Sequence, residues 1–181
     1  MTAIGVIETN SIPLGVLAGD AMMKTAVVEL CVAQTACPGK YIVVVSGEVA
    51  AVKSAVEAGE ENAASALVDS LVIPNVDERV VAAMAGGGTA DNIEALGVVE
   101  TFSLASTISL ADTAVKAAEV ELVEVRLGRG MGGKSFLILT GKVAAVEAAI
   151  KAAEAAEDSK GLMGFSVVIP SPHRDIVQAL L

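Results

Sequence analysis

Three places in the chain combine residue types that could do chemistry. Gly128, Gly133, Lys134 and Ser135 match the phosphate-cradling pattern G-x-x-x-x-G-K-[ST] letter for letter. That device needs a helix next, because the first backbone N–H groups of the helix and its positive end face the phosphates. Here Ser135 opens an apolar run that stops at Gly141 and reads as a strand. The stretch is therefore read as a glycine-rich loop, with a nucleotide-binding enzyme or sensor as the minor alternative. Cys37 is followed by Pro38 and Gly39, a turn that presents a thiol on exposed backbone. One thiolate cannot hold an iron–sulfur cluster, since ordinary [4Fe–4S] centres take four cysteine ligands. The second cysteine, Cys31, lies between Leu30 and Val32 in an apolar strand, where it is expected to pack as a small core residue. His173 is the only histidine and has no serine or cysteine nucleophile in a recognisable motif beside it. It is read as a surface contact and not as a base, and the chain as a non-enzyme.

The elements that would position these residues are written twice. Ala3, Gly5, Val6, Glu8 and Thr9 recur as Ala95, Gly97, Val98, Glu100 and Thr101 at an offset of 92, as do Asp20, Lys24, Glu29 and Leu30 as Asp112, Lys116, Glu121 and Leu122. Gly39 and Lys40 match Gly133 and Lys134 at an offset of 94, and Val72 to Pro74 match Val168 to Pro170 at 96. Each half reads as strand, helix, strand, strand, helix, strand, short helix. In the first half the spacing predicts strands over 3–9, 27–32, 41–46 and 66–73, helices over 14–26 and 49–64, and a loop over 33–40. Glycines 86–88 make 85–92 the best linker, so domains are expected over 1–88 and 89–181.

Hydrophobic residues make up 54% of the 181-residue chain and charged residues 19%, below the roughly 25% usual in soluble proteins. That excess of apolar surface points to oligomerisation, and two α/β units in one chain suit a closed ring. A net charge of −10 with 2% aromatics removes the basic face and stacking platform that nucleic-acid binding uses. No uncharged stretch is long enough for a membrane span, and the first ten residues lack a basic leader and read as a strand. Two cysteines fit a reducing, cytoplasmic compartment, which disfavours a Cys31–Cys37 disulfide.

The order G-V-[IV]-E-T, then D-A-x-x-K-x-A-x-V-E-L, then G-K, an apolar strand and G-[EK]-V resembles the bacterial microcompartment shell domain, here in tandem over nearly the whole chain. The resemblance implies an α/β fold, more narrowly two α+β units of ferredoxin-like type. Each would be an antiparallel or mixed sheet with flanking helices, and the chain would assemble as a homotrimer shaped as a pseudohexameric tile. Its partners would be other microcompartment shell proteins, and its place the shell inside the cytoplasm, with neither nucleic acid nor membrane involved.

Within that class, the motif order and the Cys37 to Lys40 loop are similar to the iron–sulfur-binding trimeric shell proteins of propanediol-utilisation compartments. This implies one [4Fe–4S] cluster per trimer, held by Cys37 of three subunits at a central pore lined by Ala36, Pro38, Gly39, Arg129, Gly130 and Met131. Arg129 would stand at the pore mouth, attracting anions or balancing an anionic cluster. Electron transfer or cluster exchange across the shell would add a lumenal redox enzyme as partner. The alternative is a metal-free pore for a small metabolite. Lys24 and Lys116 stand four residues after Asp20 and Asp112, as helix-supporting pairs. The resemblance also puts them on the tile edge, with Arg79, His173 and Arg174; the segment Pro170 to Arg174 matches the family's edge pattern, and Pro74 to Arg79 departs from it.

Overall fold

The fold was obtained as a computed structural model that describes residues 3–86, 93–128, 130–157 and 161–180, with Glu157 described in backbone only. The contacts separate two units. The first runs to Val76 and also takes in Ser103–Ala105 and Gly128–Gly133; the second holds Asp77–Phe102, Ser106–Leu127 and the chain from Lys134 onward.

In the first unit β1 (Ala3–Thr9), α1 (Ile12–Thr25), β2 (Glu29–Ala36), β3 (Lys40–Gly47), α2 (Val49–Ala63) and β4 (Leu67–Ile73) form a four-stranded antiparallel sheet, order β2-β3-β1-β4, with helices α1 and α2. β1 is an inner strand buried along its whole length, and it is apolar except at Glu8 and Thr9, which are buried with the rest. Its inward side packs with α1 and α2 through Ile7, Ala18, Met22, Val43, Val52 and Val56. Each fully buried large side chain there contributes about 1.5–3 kcal/mol. Gly5 lets α2 approach, because a Cβ there would stand 2.5 Å from Val56 Cγ2 and 2.8 Å from Val52 Cγ1.

The second unit repeats the plan with α3 (Glu78–Met84) added at its start. β5 (Ala95–Thr101), α4 (Leu104–Ala117), β6 (Glu121–Arg126), β7 (Ser135–Gly141), α5 (Val143–Glu157), β8 (Met163–Pro170) and α6 (Arg174–Leu180) follow, with sheet order β6-β7-β5-β8. The register is conserved between repeats: Ala3 faces Gly47 and Thr9 faces Tyr41, as Ala95 faces Gly141 and Thr101 faces Ser135. α3, although written at the end of the first repeat, packs on β6 of the second unit. The expected boundary at 88/89 lies outside the described residues.

Two expectations are corrected. β2 extends to Ala36, so the 33–40 loop shrinks to Cys37–Gly39: Gln34, Thr35 and Ala36 pair with Ile42, Tyr41 and Lys40 of β3, and the ladder overrides their turn-like composition. Cys31 is exposed and not part of the core. β2 is an edge strand, and its register slips between Leu30 and Val32, at Cys31 itself.

Candidate functional site

The β2–β3 turn and the glycine-rich β6–β7 loop meet inside the first unit. Cys37 donates its backbone N–H to the Gly128 carbonyl at 2.8 Å, and Gly130 donates its N–H to Cys37 Sγ at 3.3 Å. Glycine is required at Gly128: its φ is +66°, and a Cβ would stand 2.8 Å from that of Ala36. Ala36 is buried there, so it packs beneath the corner, whereas Pro38, Gly39 and Gly130 are exposed and Cys37 and Met131 half-buried. Arg129 lies outside the described residues. Among the described residues no group of three His, Cys, Asp or Glu side chains could hold a metal ion. One chain therefore supplies this corner with a single thiol, whose sulfur accepts the Gly130 N–H.

Behind the corner sits a fully buried carboxylate. Glu8 is 0% exposed and its Oε1 accepts from Lys40 Nζ at 2.6 Å; Lys40 is 13% exposed. Glu8 Oε2 accepts from the Leu104 N–H at 2.7 Å, the Ala105 N–H at 3.2 Å and the Ser103 hydroxyl at 3.0 Å. The same hydroxyl is 2.7 Å from Asp69 Oδ2. A buried anion survives here because a cation and the unpaired donors of the first turn of α4 surround it. Its repeat-mate Glu100 takes Lys134 Nζ at 2.9 and 3.1 Å, but these side chains are 27% and 41% exposed. Lys134 also stands 5.6 Å from the Phe102 ring centre.

This pairing, together with β7 beginning at Ser135, dismantles the phosphate cradle suggested by the letters of the sequence. The lysine is held by Glu100, the Ser135 hydroxyl is buried with no hydrogen-bond partner among the described residues, and a strand follows where a helix is needed.

The edge candidates lie in different settings. Lys24 and Lys116 each reach the acid four residues earlier at 2.6 Å, and Asp112 also accepts the Asp77 N–H at 2.9 Å. Arg79 is clasped within the second unit: it donates to Val120 O at 2.8 Å, Val115 O at 3.2 Å and the Asp77 carboxylate at 2.7–2.8 Å. Hydrogen bonding from Arg79 holds the Asp77 carboxyl at a pKa of about 2, against a partial opposing effect of burial, and Asp77 raises that of Arg79. His173 and Arg174 are exposed beside Asp175, and the His173 ring accepts the Asp175 N–H at 3.3 Å. Sequence reasoning passed over Glu8 and Asp77. For Glu8 a signal existed, a glutamate inside a strand otherwise fit for complete burial.

No helix among the described residues is long and apolar enough to cross a membrane. The BMC domain model matches residues 3–76 and again 95–172. The bacterial microcompartment shell protein PduT of Citrobacter freundii is 44% identical over 174 residues, covering 96% of this chain and 95% of its own. A crystal structure of a microcompartment protein from Desulfitobacterium hafniense superposes with a TM-score of 0.90 at 48% identity, covering 98% of this chain and 99% of that one. The fused permuted hexameric shell protein of the RMM microcompartment shares the fold, with a TM-score of 0.65 at 24% identity over 87% and 84% of the two chains. With two copies of its domain in one register, this chain belongs to the BMC-domain family as a structural shell protein of a bacterial microcompartment.

Proposed function

We propose that three copies of the chain close head to tail into a pseudohexagonal tile that joins other shell proteins along its edges, and that Cys37 of each copy turns toward the ring axis to hold one [4Fe–4S] cluster per trimer. The observation that carries the ring is the unequal exposure of repeat-mates. In α3, Val80 and Ala83 are buried, and in β6, on which α3 packs, so are Leu122 and Val123; the same positions of α6 and β2, which are Ile176, Ala179, Leu30 and Cys31, are exposed. α6 of one copy covering β2 of the next repeats the α3–β6 contact. Such a heterologous contact makes a ring if its rotation closes. It also gives Cys31 the buried setting its neighbours in sequence suggest.

The corner at Cys37 suits one ligand of a shared cluster. Cys37 is half-buried, its sulfur receives the Gly130 N–H, and it is approached over Pro38 and Gly39, where no described residue lies within 4 Å of a Cβ added to Gly39. Three copies bring three thiolates, leaving one iron to a water, a small ligand or a partner. When bound, such a cluster supplies one-electron redox chemistry or is itself exchanged, and closes the opening to metabolites. Electron transfer adds a lumenal redox enzyme as partner.

The test is anaerobic purification, native mass and iron analysis of wild type and Cys37→Ala. About four irons per trimer with the broad visible absorption of thiolate-bound clusters, lost in a variant that stays trimeric, is the expected result. A trimer without iron after reconstitution overturns the cluster and leaves an opening for small metabolites lined by Pro38, Gly39 and Gly130. A monomer overturns the ring as well.

A further inference from the structure

The outer face of the second sheet, on the side of Glu100, carries an open groove of about 340 Å³ lined by Val98, Glu100, Phe136, Phe165, Val167 and Leu180. Phe165 is 80% exposed. The corresponding positions of the first sheet, Val6, Glu8, Ile42 and Val44, are all closed to water, and there Glu8 grips Ser103, Leu104 and Ala105 at the start of α4. The repeat-mates of those three residues are Ser11, Ile12 and Pro13, which open α1. α1 lacks such a grip: Ser11 makes no side-chain capping bond, and Ile12 and Val16 are exposed where Leu104 and Ile108 of α4 are fully buried.

We propose that the occupant of this groove is α1 of a second copy of the chain, with Glu100 of one copy capping the α1 start of the next. The inference rests on the trimer reading and specifies which surfaces meet. Charge and shape agree: a carboxylate faces the positive end of a 14-residue helix, and Ile12 and Val16 face the Phe165 side of the groove. The match is imperfect in an informative way. Glu8 takes two backbone N–H groups and one hydroxyl, whereas Pro13 has no N–H, so Glu100 finds the Ser11 hydroxyl and the Ile12 N–H alone. Asp69, which accepts from Ser103 in the first unit, is answered by Phe165 at the sequence offset of 96 that relates the ends of the two repeats. The junction between copies thus exchanges a buried polar contact for an apolar one, as suits a surface exposed to water before assembly.

The Ser103–Asp69 contact supplies the test, since its equivalent between copies is Ser11 to Phe165. Chains carrying Ser11→Cys and chains carrying Phe165→Cys, both with Cys31→Ser and Cys37→Ser, are co-expressed and oxidised, and native mass is measured in parallel. The expected result is a trimer in which unlike chains become disulfide-linked, while neither single variant alone does. A trimer without such links overturns this inference and leaves the ring standing; a monomer overturns both. In the otherwise native chain, Glu100→Gln should raise the concentration at which the trimer half dissociates by about ten-fold. An unchanged midpoint contradicts the capping role.

Discussion

Lys40 places its ammonium 2.6 Å from the Glu8 carboxylate, and the pair is almost closed to water. The same two residue types in the second repeat, Lys134 and Glu100, meet at 2.9 Å with more than a quarter of each side chain exposed. One motif thus performs two tasks. In the first repeat it locks the start of α4 to β1; in the second it leaves a carboxylate available at the surface.

The buried pair should be expensive to break. Glu8→Gln removes the charge opposite Lys40 and, with its amide oxygen kept on the Leu104 and Ala105 N–H groups, turns an amide donor toward the Lys40 ammonium, so a loss of about 3 kcal/mol or more is expected. Replacing both members, as Glu8→Gln with Lys40→Met, should recover much of that loss, because no uncompensated charge remains. Urea unfolding midpoints at equal m-value measure the difference. A single variant within 1 kcal/mol of wild type would contradict the account.

Much of this plan was legible in the sequence because the duplication is read directly and each half carries strong periodic signals. The strand at 3–9 and the helix from 49 were found nearly to the residue, since an apolar run and an alanine-rich period need no partner to be recognised. What escaped depends on neighbours. The extension of β2 to Ala36 comes from pairing with β3, and the exposure of Cys31 comes from its place at a bulge on an edge strand. Arg79 stood out as an edge residue, yet its clasp on Val115 and Val120 follows from α3 packing against β6, which no local pattern encodes.

The Arg79 clasp gives a pH prediction. Asp77 titrates at about 2 in the folded chain, below its ordinary value of 3.8, so the folded state binds the proton less readily than the unfolded one. Its contribution is complete above about pH 4 and disappears as the pH falls through 2. Arg79→Met removes the main cause, so the Asp77 pKa should return toward 3.8. The variant should also lose about 1–2 kcal/mol at neutral pH through the two carbonyl bonds it no longer fills. Carboxyl titration by NMR and circular dichroism between pH 5 and 2 follow both effects. An Asp77 pKa that stays at about 2 in Arg79→Met would show that another group holds it down.

The corner that carries Cys37 can be loosened without touching the cysteine. Gly128→Ala must tolerate a φ of +66° and also a Cβ 2.8 Å from Ala36, within 3.3 Å of Leu104, so the backbone has to shift and the Cys37 N–H loses its carbonyl partner. Gly39→Ala faces only a φ of +85°, with no described residue within 4 Å of the new methyl. The first change should therefore cost about 2–4 kcal/mol and the second about 1 kcal/mol. In a Cys31→Ser background, maleimide should label Cys37 several-fold faster in Gly128→Ala than in Gly39→Ala, because only the former withdraws the loop that donates to its sulfur. Equal labelling rates would mean that the two loops hold Cys37 through contacts other than the Gly128 carbonyl and the Gly130 N–H.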